Sequence, residues 1–204
     1  MKVQQLFEGP YSLDQDFRPH IKMDSYPSLE GLKRECEHLG TLETDNEDFN
    51  FWLNKGKHYA QVTVAHEDDI GQQRQLSIVR ITFQKNAGLP VKNELQVHTV
   101  FTHEKYRTRF LAGGLYILLA RYGYSVVSDF EQWNGGRALW KKLAKEADAR
   151  NYAVRVWSDE TEDWLHGPDG EPVKYNAANL DDDQIWHSIS AQCEPTTLLV
   201  LSST

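Results

Sequence analysis

Residues Val97–Leu143 read VHTVFTHEKYRTRFLAGGLYILLARYGYSVVSDFEQWNGGRALWKKL, and the order of periodicities along them decides the fold. The stretch begins inside a strand, Glu94–Phe101 (ELQVHTVF). Leu111, Leu115, Leu118 and Tyr122 then recur at i, i+4, i+7 and i+11, one apolar face of a helix that Gly123 ends. Ser125–Ser128 (SVVS) is short, apolar and bounded by polar residues, as a buried strand is. Asn134 is placed to cap a second helix, on which Leu139, Leu143 and Ala147 share a face with Trp140 beside it. Ala153–Trp157 (AVRVW) is a further strand. This succession predicts that Glu94–Phe101 and Ser125–Ser128 are parallel neighbours, joined by the Leu111–Tyr122 helix through a right-handed crossover.

Upstream, the pattern changes to alternation. Tyr59, Gln61, Thr63 and Ala65 alternate with Ala60, Val62, Val64 and His66, and Gln75–Phe83 (QLSIVRITF) repeats the period of two, with Gly71 in the turn between. Lys85–Pro90 (KNAGLP) is the next turn, so these two strands and Glu94–Phe101 form an antiparallel meander. Pro10, Pro19 and Pro27 mark residues 1–28 as an irregular arm, after which Ser28 caps a short helix through about His38, stopped by Gly40. Downstream, residues 158–195 are polar and turn-rich, with a turn at Gly167–Pro172 (GPDGEP), and Thr196–Leu201 (TTLLVL) is a late strand of the sheet. The reading is an α/β fold with a mixed sheet: an antiparallel meander feeding a β-α-β-α-β core. It makes residues 1–204 a single domain, with an irregular and helical part over 1–58, the core over 59–157, and a polar excursion with a final strand over 158–204.

Composition narrows the function classes. Hydrophobic residues at 40% and charged residues at 25% belong to a globular chain rather than a disordered one. The longest apolar run, Leu115 to Ala120, is far short of the roughly 20 residues that span a bilayer. The first residues show no apolar secretory core, so a soluble, cytoplasmic protein is expected. Cys36 and Cys193 lie far apart and in no CxxC or Cys/His spacing, which predicts free thiols and no zinc site. His98 and His103 do not make a ligand pair either, so no metal is expected. A net charge of −8 speaks against nucleic acid, whose phosphates need a basic surface. The acidic runs Glu43–Asp48, Asp159–Asp163 and Asp181–Asp183 are solvated loops, or an imitation of nucleic acid for a DNA-binding partner.

A strand running into Tyr106-Arg107, the Gly113-Gly114 turn, an apolar helix, a short strand ending in Ser128-Asp129 and a Gly135-Gly136-x-x-x-Trp140 helix resemble the central motif of the GNAT acyltransferases, small phage-encoded versions in particular. The resemblance implies a GNAT-like core and an acyl-coenzyme-A-dependent N-acyltransferase, with acetyl-coenzyme A as cofactor and an amine of a small molecule or protein as acceptor. In the family a Q/R-x-x-G-x-G/A turn and the helix after it hold the pyrophosphate on backbone N–H groups. Without a gap, Arg107, Phe110 and Ala112 fall on that pattern; a shift of two gives Arg109, Ala112 and Gly114. Either way the first glycine is replaced. The cofactor-binding candidates are therefore Arg107, Arg109, Phe110, Leu111, Ala112, Gly113 and Gly114, with close helix–sheet packing as the other reading of Gly113-Gly114.

The resemblance also places a tyrosine acid on the second helix, where this chain has Trp140, whose indole lacks an acidic proton and which reads as core. Glu94 and His98 are the candidate bases, four apart and on one face of an unbroken strand; His98 also reads as a hydrogen-bonded core residue. Ser128 ends the central strand, the end at which open sheets bind ligands, or serves a turn there. Two functions follow. One is acyl transfer from acetyl-coenzyme A. The other is a GNAT-like chain without catalysis, acting as a binding, anti-defence or virion-associated module with a protein partner or as a homo-oligomer, in the host cytoplasm if phage-encoded.

Overall fold

Alternation along the strands and helical stripes between them build a mixed α/β structure of nine strands, mostly antiparallel, and three α-helices among the described residues. The computed structural model describes residues 27–44, 46–67, 71–84, 88–129, 134–176, 185 and 197–203. The arm over 1–26, the acidic run Asp181–Asp183, Cys193, Thr196, residues 85–87 of the Lys85–Pro90 turn and the capping side chain of Asn134 lie outside them. The chain divides into two compact units, Met1–Phe83 with Thr99–Leu115, and Gln84–His98 with Tyr116–Thr204.

In the first unit, Ser28 caps α1 (Leu29–Glu35) by accepting the Gly31 N–H at 3.1 Å. The helix stops at Glu35, short of His38, because Cys36 turns extended and opens β1 (Cys36–Leu42). Cys36 packs with Leu32 and Trp52, and β1 pairs antiparallel with β2 (Phe49–Asn54). Two strands thus stand where the sequence predicts an irregular and helical segment. The β2 run FNFWLN buries Phe49, Phe51, Trp52 and Leu53 with no alternation to betray a strand, and β1 is broken by a register shift between His38 and Gly40. β3 (Tyr59–Glu67) and β4 (Gln73–Phe83) complete four consecutive antiparallel strands. Apolar partners meet on one face, Phe51 with Val62 and Ala60 with Ile81. On the other, buried polar groups satisfy one another: Trp52 Nε1 donates to Thr63 Oγ1 at 3.0 Å, Thr63 Oγ1 to Gln75 Oε1 at 2.8 Å, and Ser77 Oγ to Gln61 Oε1 at 3.3 Å.

In the second unit the start of β5 (Glu94–Thr102) runs parallel to β6 (Ser125–Val127), with Glu94 beside Ser125 and Gln96 beside Val127. This is the predicted parallel pair. Between them in the chain lie a 3-10 turn (Glu104–Arg109), which belongs to the first unit, and α2 (Leu111–Arg121), whose residues from Tyr116 on belong to the second. After β6 come α3 (Asn134–Asp148), β7 (Tyr152–Ser158), the short β8 (Asp163–Trp164) and β9 (Thr197–Ser203). β9 pairs antiparallel with β6 on one side and β7 on the other, and β7 pairs antiparallel with β8. Gly123, at φ 83°, closes α2: its N–H reaches Ala120 O at 3.0 Å and the Tyr124 N–H reaches Leu119 O at 3.2 Å, a Schellman motif.

The α2 stripe differs from the predicted one. Leu111, Ala112, Leu115, Tyr116, Leu119 and Ala120 are buried, Leu118 is half-buried and Tyr122 is 46% exposed. The buried face keeps Leu111 and Leu115 but is rotated toward Ala112, Tyr116, Leu119 and Ala120, away from Leu118 and Tyr122. On α3, Leu139, Leu143 and Ala147 are buried as predicted, and Trp140 is buried against Tyr116 with ring centroids 5.5 Å apart. Leu143→Ala is expected to cost about 2–5 kcal/mol in denaturant unfolding, as a cavity in a fully buried site. Tyr122→Ala, at a 46% exposed position, should cost less than Leu143→Ala in the same assay; the reverse order would mean that the helix faces are misassigned.

Candidate functional site

The 3-10 turn after β5 is held by its own ends. His103 Nδ1 accepts the Lys105 N–H at 3.3 Å, and the His103 N–H is tied to Ile78 O at 2.7 Å. The turn stops at Phe110, which sits at φ 54° and ψ 27°, the left-handed region that glycine enters freely and a phenylalanine enters at a cost of roughly 1–2 kcal/mol. α2 starts directly afterwards, and the Gly114 N–H bonds Phe110 O at 2.9 Å. The Phe110 ring lies against Gly113, where any Cβ would run into it. Gly113 is therefore a glycine because of the Phe110 ring. At Gly114 a Cβ would meet only Phe51 Cε1, at 4.0 Å, an ordinary contact. Leu111 and Ala112 are buried core residues of the first helical turn.

The basic residues of the turn are engaged. Arg107 Nε donates to Thr102 O at 3.5 Å, so it folds back on the end of its own strand. Arg109 lies over two rings, its guanidinium carbon 5.2 Å from the centroid of Phe49 and 5.6 Å from that of Tyr106, and its Nη1 is 3.3 Å from Glu47 Oε2. Glu47 Oε1 accepts Tyr106 OH at 2.7 Å and Lys105 Nζ at 3.2 Å. Oε2 is near enough to Arg109 for an ion pair but makes no hydrogen bond, because the charge contact is misaligned. The Tyr106 hydrogen bond, with Lys105 and Arg109 behind it, holds the Glu47 carboxyl below its usual range. Burial and the same carboxylate push the Tyr106 phenol up, and the Tyr106 and Glu47 bonds push Lys105 up.

The other candidates belong to the second unit. Glu94 is buried on β5, and its Oε2 accepts the N–H groups of Gly88 at 3.1 Å and Leu89 at 3.2 Å. That bond seats the turn whose Leu89 packs with Val127, Trp157, Leu198 and Val200. His98 is exposed rather than a core residue, and between the two on the strand Gln96 is 2% exposed, with an Nε2 that makes no hydrogen bond. Ser128 is buried: its N–H bonds Leu199 O at 2.8 Å and its Oγ accepts the Leu199 N–H at 2.9 Å, extending the β6–β9 pairing. Glu94 and Ser128 thus serve backbone groups that burial would otherwise strand.

The structure brings Arg107, Arg109, Phe110, Gly113 and Gly114 together in one turn, with Glu94, His98 and Ser128 in the other unit. Glu47, Phe49, Lys105 and Tyr106 join that turn without being predicted; Glu47 lies 58 residues before Lys105 and carries no local signal. No family model, curated protein or solved structure matches the chain.

Tyr106→Phe removes a hydrogen bond to a carboxylate and is expected to cost about 1.5–3 kcal/mol. Glu47 contributes stability above its unfolded value of about 4.3, and this is lost as pH falls through its lower folded value. Unfolding free energies measured from pH 7 to pH 2 should therefore fall more steeply below about pH 4.3 in the wild type than in Tyr106→Phe. Parallel profiles would remove the Tyr106 bond as the cause.

Proposed function

We propose that this chain is a GNAT-like protein whose acyl-coenzyme A turn has been closed by Phe110, and that it acts as a binding module rather than as an acyltransferase. The β5–α2–β6–α3–β7 order and the parallel β5–β6 pair support the GNAT-like core. One observation carries the loss of catalysis: Phe110 stands in the left-handed conformation where the ungapped motif has its first glycine, and its ring rests on the Gly113 backbone at the start of α2. A pyrophosphate needs that surface bare, since backbone N–H groups can approach phosphate only where no side chain intervenes. The left-handed backbone also favours the register Arg107, Phe110, Ala112 over the shifted one, because Ala112 and Gly114 lie in ordinary helix. The structural duties of Glu94 and Ser128 point the same way.

Acyl transfer from acetyl-coenzyme A is the second reading, and the retained left-handed residue favours it, because the turn keeps its glycine-demanding shape. Calorimetry separates the two. The wild type is expected to give no heat with millimolar acetyl-coenzyme A, while Phe110→Gly, which frees the helix start at no backbone cost, is expected to gain measurable binding. Micromolar binding by the wild type, with a stabilisation of about 2.7 kcal/mol at 100 times the dissociation constant, would restore the acyltransferase.

A further inference from the structure

The cluster around Glu47 has the build of an oxyanion site that is filled from within. Two donors and an ion-pairing cation from one turn converge on a single carboxylate: Tyr106 OH, Lys105 Nζ and the Arg109 guanidinium. Two of them are held in place without it. Tyr106 is buried, with its ring edge-on to Phe49 at 5.9 Å, and the Arg109 guanidinium lies over both rings. The ring faces attract the Arg109 guanidinium independently of the carboxylate. The carboxylate is the less constrained partner. It hangs from the β1–β2 turn, where Glu43, Thr44, Asn46 and Asp48 are exposed, and the turn is braced locally by Thr44 Oγ1, which donates to Glu47 O at 2.6 Å and accepts the Glu47 N–H at 3.1 Å. The fit is also incomplete, since Glu47 Oε2 is buried with no hydrogen bond although Arg109 is 3.3 Å away. An oxyanion not tethered to that turn could satisfy both.

We propose that Lys105, Tyr106 and Arg109 form an oxyanion-binding site and that Glu47 is its displaceable internal occupant, the β1–β2 turn acting as the plug. The ligand class is an oxyanion, either the carboxylate of an acidic protein segment or a phosphate group. Phe110 and Gly113 take no part, so the site stands or falls apart from the coenzyme A turn. In Glu47→Ala the donors lose their occupant, and acetate, inorganic phosphate and pyrophosphate become the probes.

Melting temperature and calorimetric binding are measured for the wild type, Glu47→Ala and Glu47→Ala/Arg109→Met, with chloride at matched ionic strength as reference. Glu47→Ala is expected to be stabilised by at least one of the oxyanions beyond chloride, and to bind it about tenfold or more tightly than the wild type, the equivalent of removing a competitor worth about 1.4 kcal/mol. The gain should vanish in the double variant. Preference for acetate assigns the site to an acidic protein segment, and preference for phosphate or pyrophosphate to a phosphorylated ligand. Should Glu47→Ala fail to fold, Glu47→Gln runs the same comparison with the competitor's charge removed. Stabilisation no greater than that by chloride in the folded variant, or a gain that survives loss of Arg109, overturns the proposal.

Discussion

Two neighbouring strands that run the same way cannot be joined by a hairpin, and the parallel pairing of Glu94–Gln96 with Ser125–Val127 imposes this requirement on the middle of the chain. The chain must leave the end of β5, reverse, and return to begin β6. It does so through a 3-10 turn, a single left-handed residue and a three-turn helix. Each device has a local cause. His103 caps the turn, Phe110 redirects the backbone into α2, and Gly123 with its Schellman bonds ends the helix so that Tyr124 and Ser125 can enter the sheet. The Asn93 side chain, which donates to Gly123 O at 3.1 Å, and the Ser125 N–H, 3.2 Å from Lys92 O, then fix where β6 starts relative to β5.

The polar residues near this pair are explained first by satisfaction of buried groups. Ser128 matches Leu199 through both its backbone and its hydroxyl, which lets β9 follow β6 past the last ladder residue. Glu94 takes two N–H groups of an irregular turn and thereby brings Leu89 onto the apolar face of the sheet. The same logic runs through Trp52, Thr63 and Gln75 in the other unit, where three strands are cross-linked by side chains that would be costly to bury singly. A carboxylate or hydroxyl on a strand facing a ligand-binding end is thus weak grounds for catalysis until its hydrogen-bond partners are counted.

The sequence made the core legible where periodicity was strong: β3, β4, the start of β5, both long helices, β7 and the late strand all stand where pattern put them. It misled where burial is two-sided. FNFWLN shows no alternation because neighbouring residues on both faces of β2 are buried, and CEHLGTL carries a glycine at a register shift, so neither reads as a strand. In α2 the leucine spacing drew attention to Leu118 and Tyr122, while small and polar-tipped residues, Ala112 and Tyr116, filled the buried face. The candidate turn was legible as a turn, and its departure from the glycine pattern was visible at once. What could not be read was the contact across the sequence, where Glu47 meets Lys105, Tyr106 and Arg109.

Phe110 and Gly113 form one packing feature rather than two. Placing a benzyl group on a left-handed residue costs backbone energy, and the structure offsets that cost by giving the ring a bed, the bare Cα of Gly113 one helical turn on. Either residue alone is a poor choice. A glycine at 113 without the ring leaves a flexible first turn in α2, and an alanine at 113 would drive the Phe110 ring from its present position. The matched pair makes the turn at the start of α2 a packed and specified element of the fold.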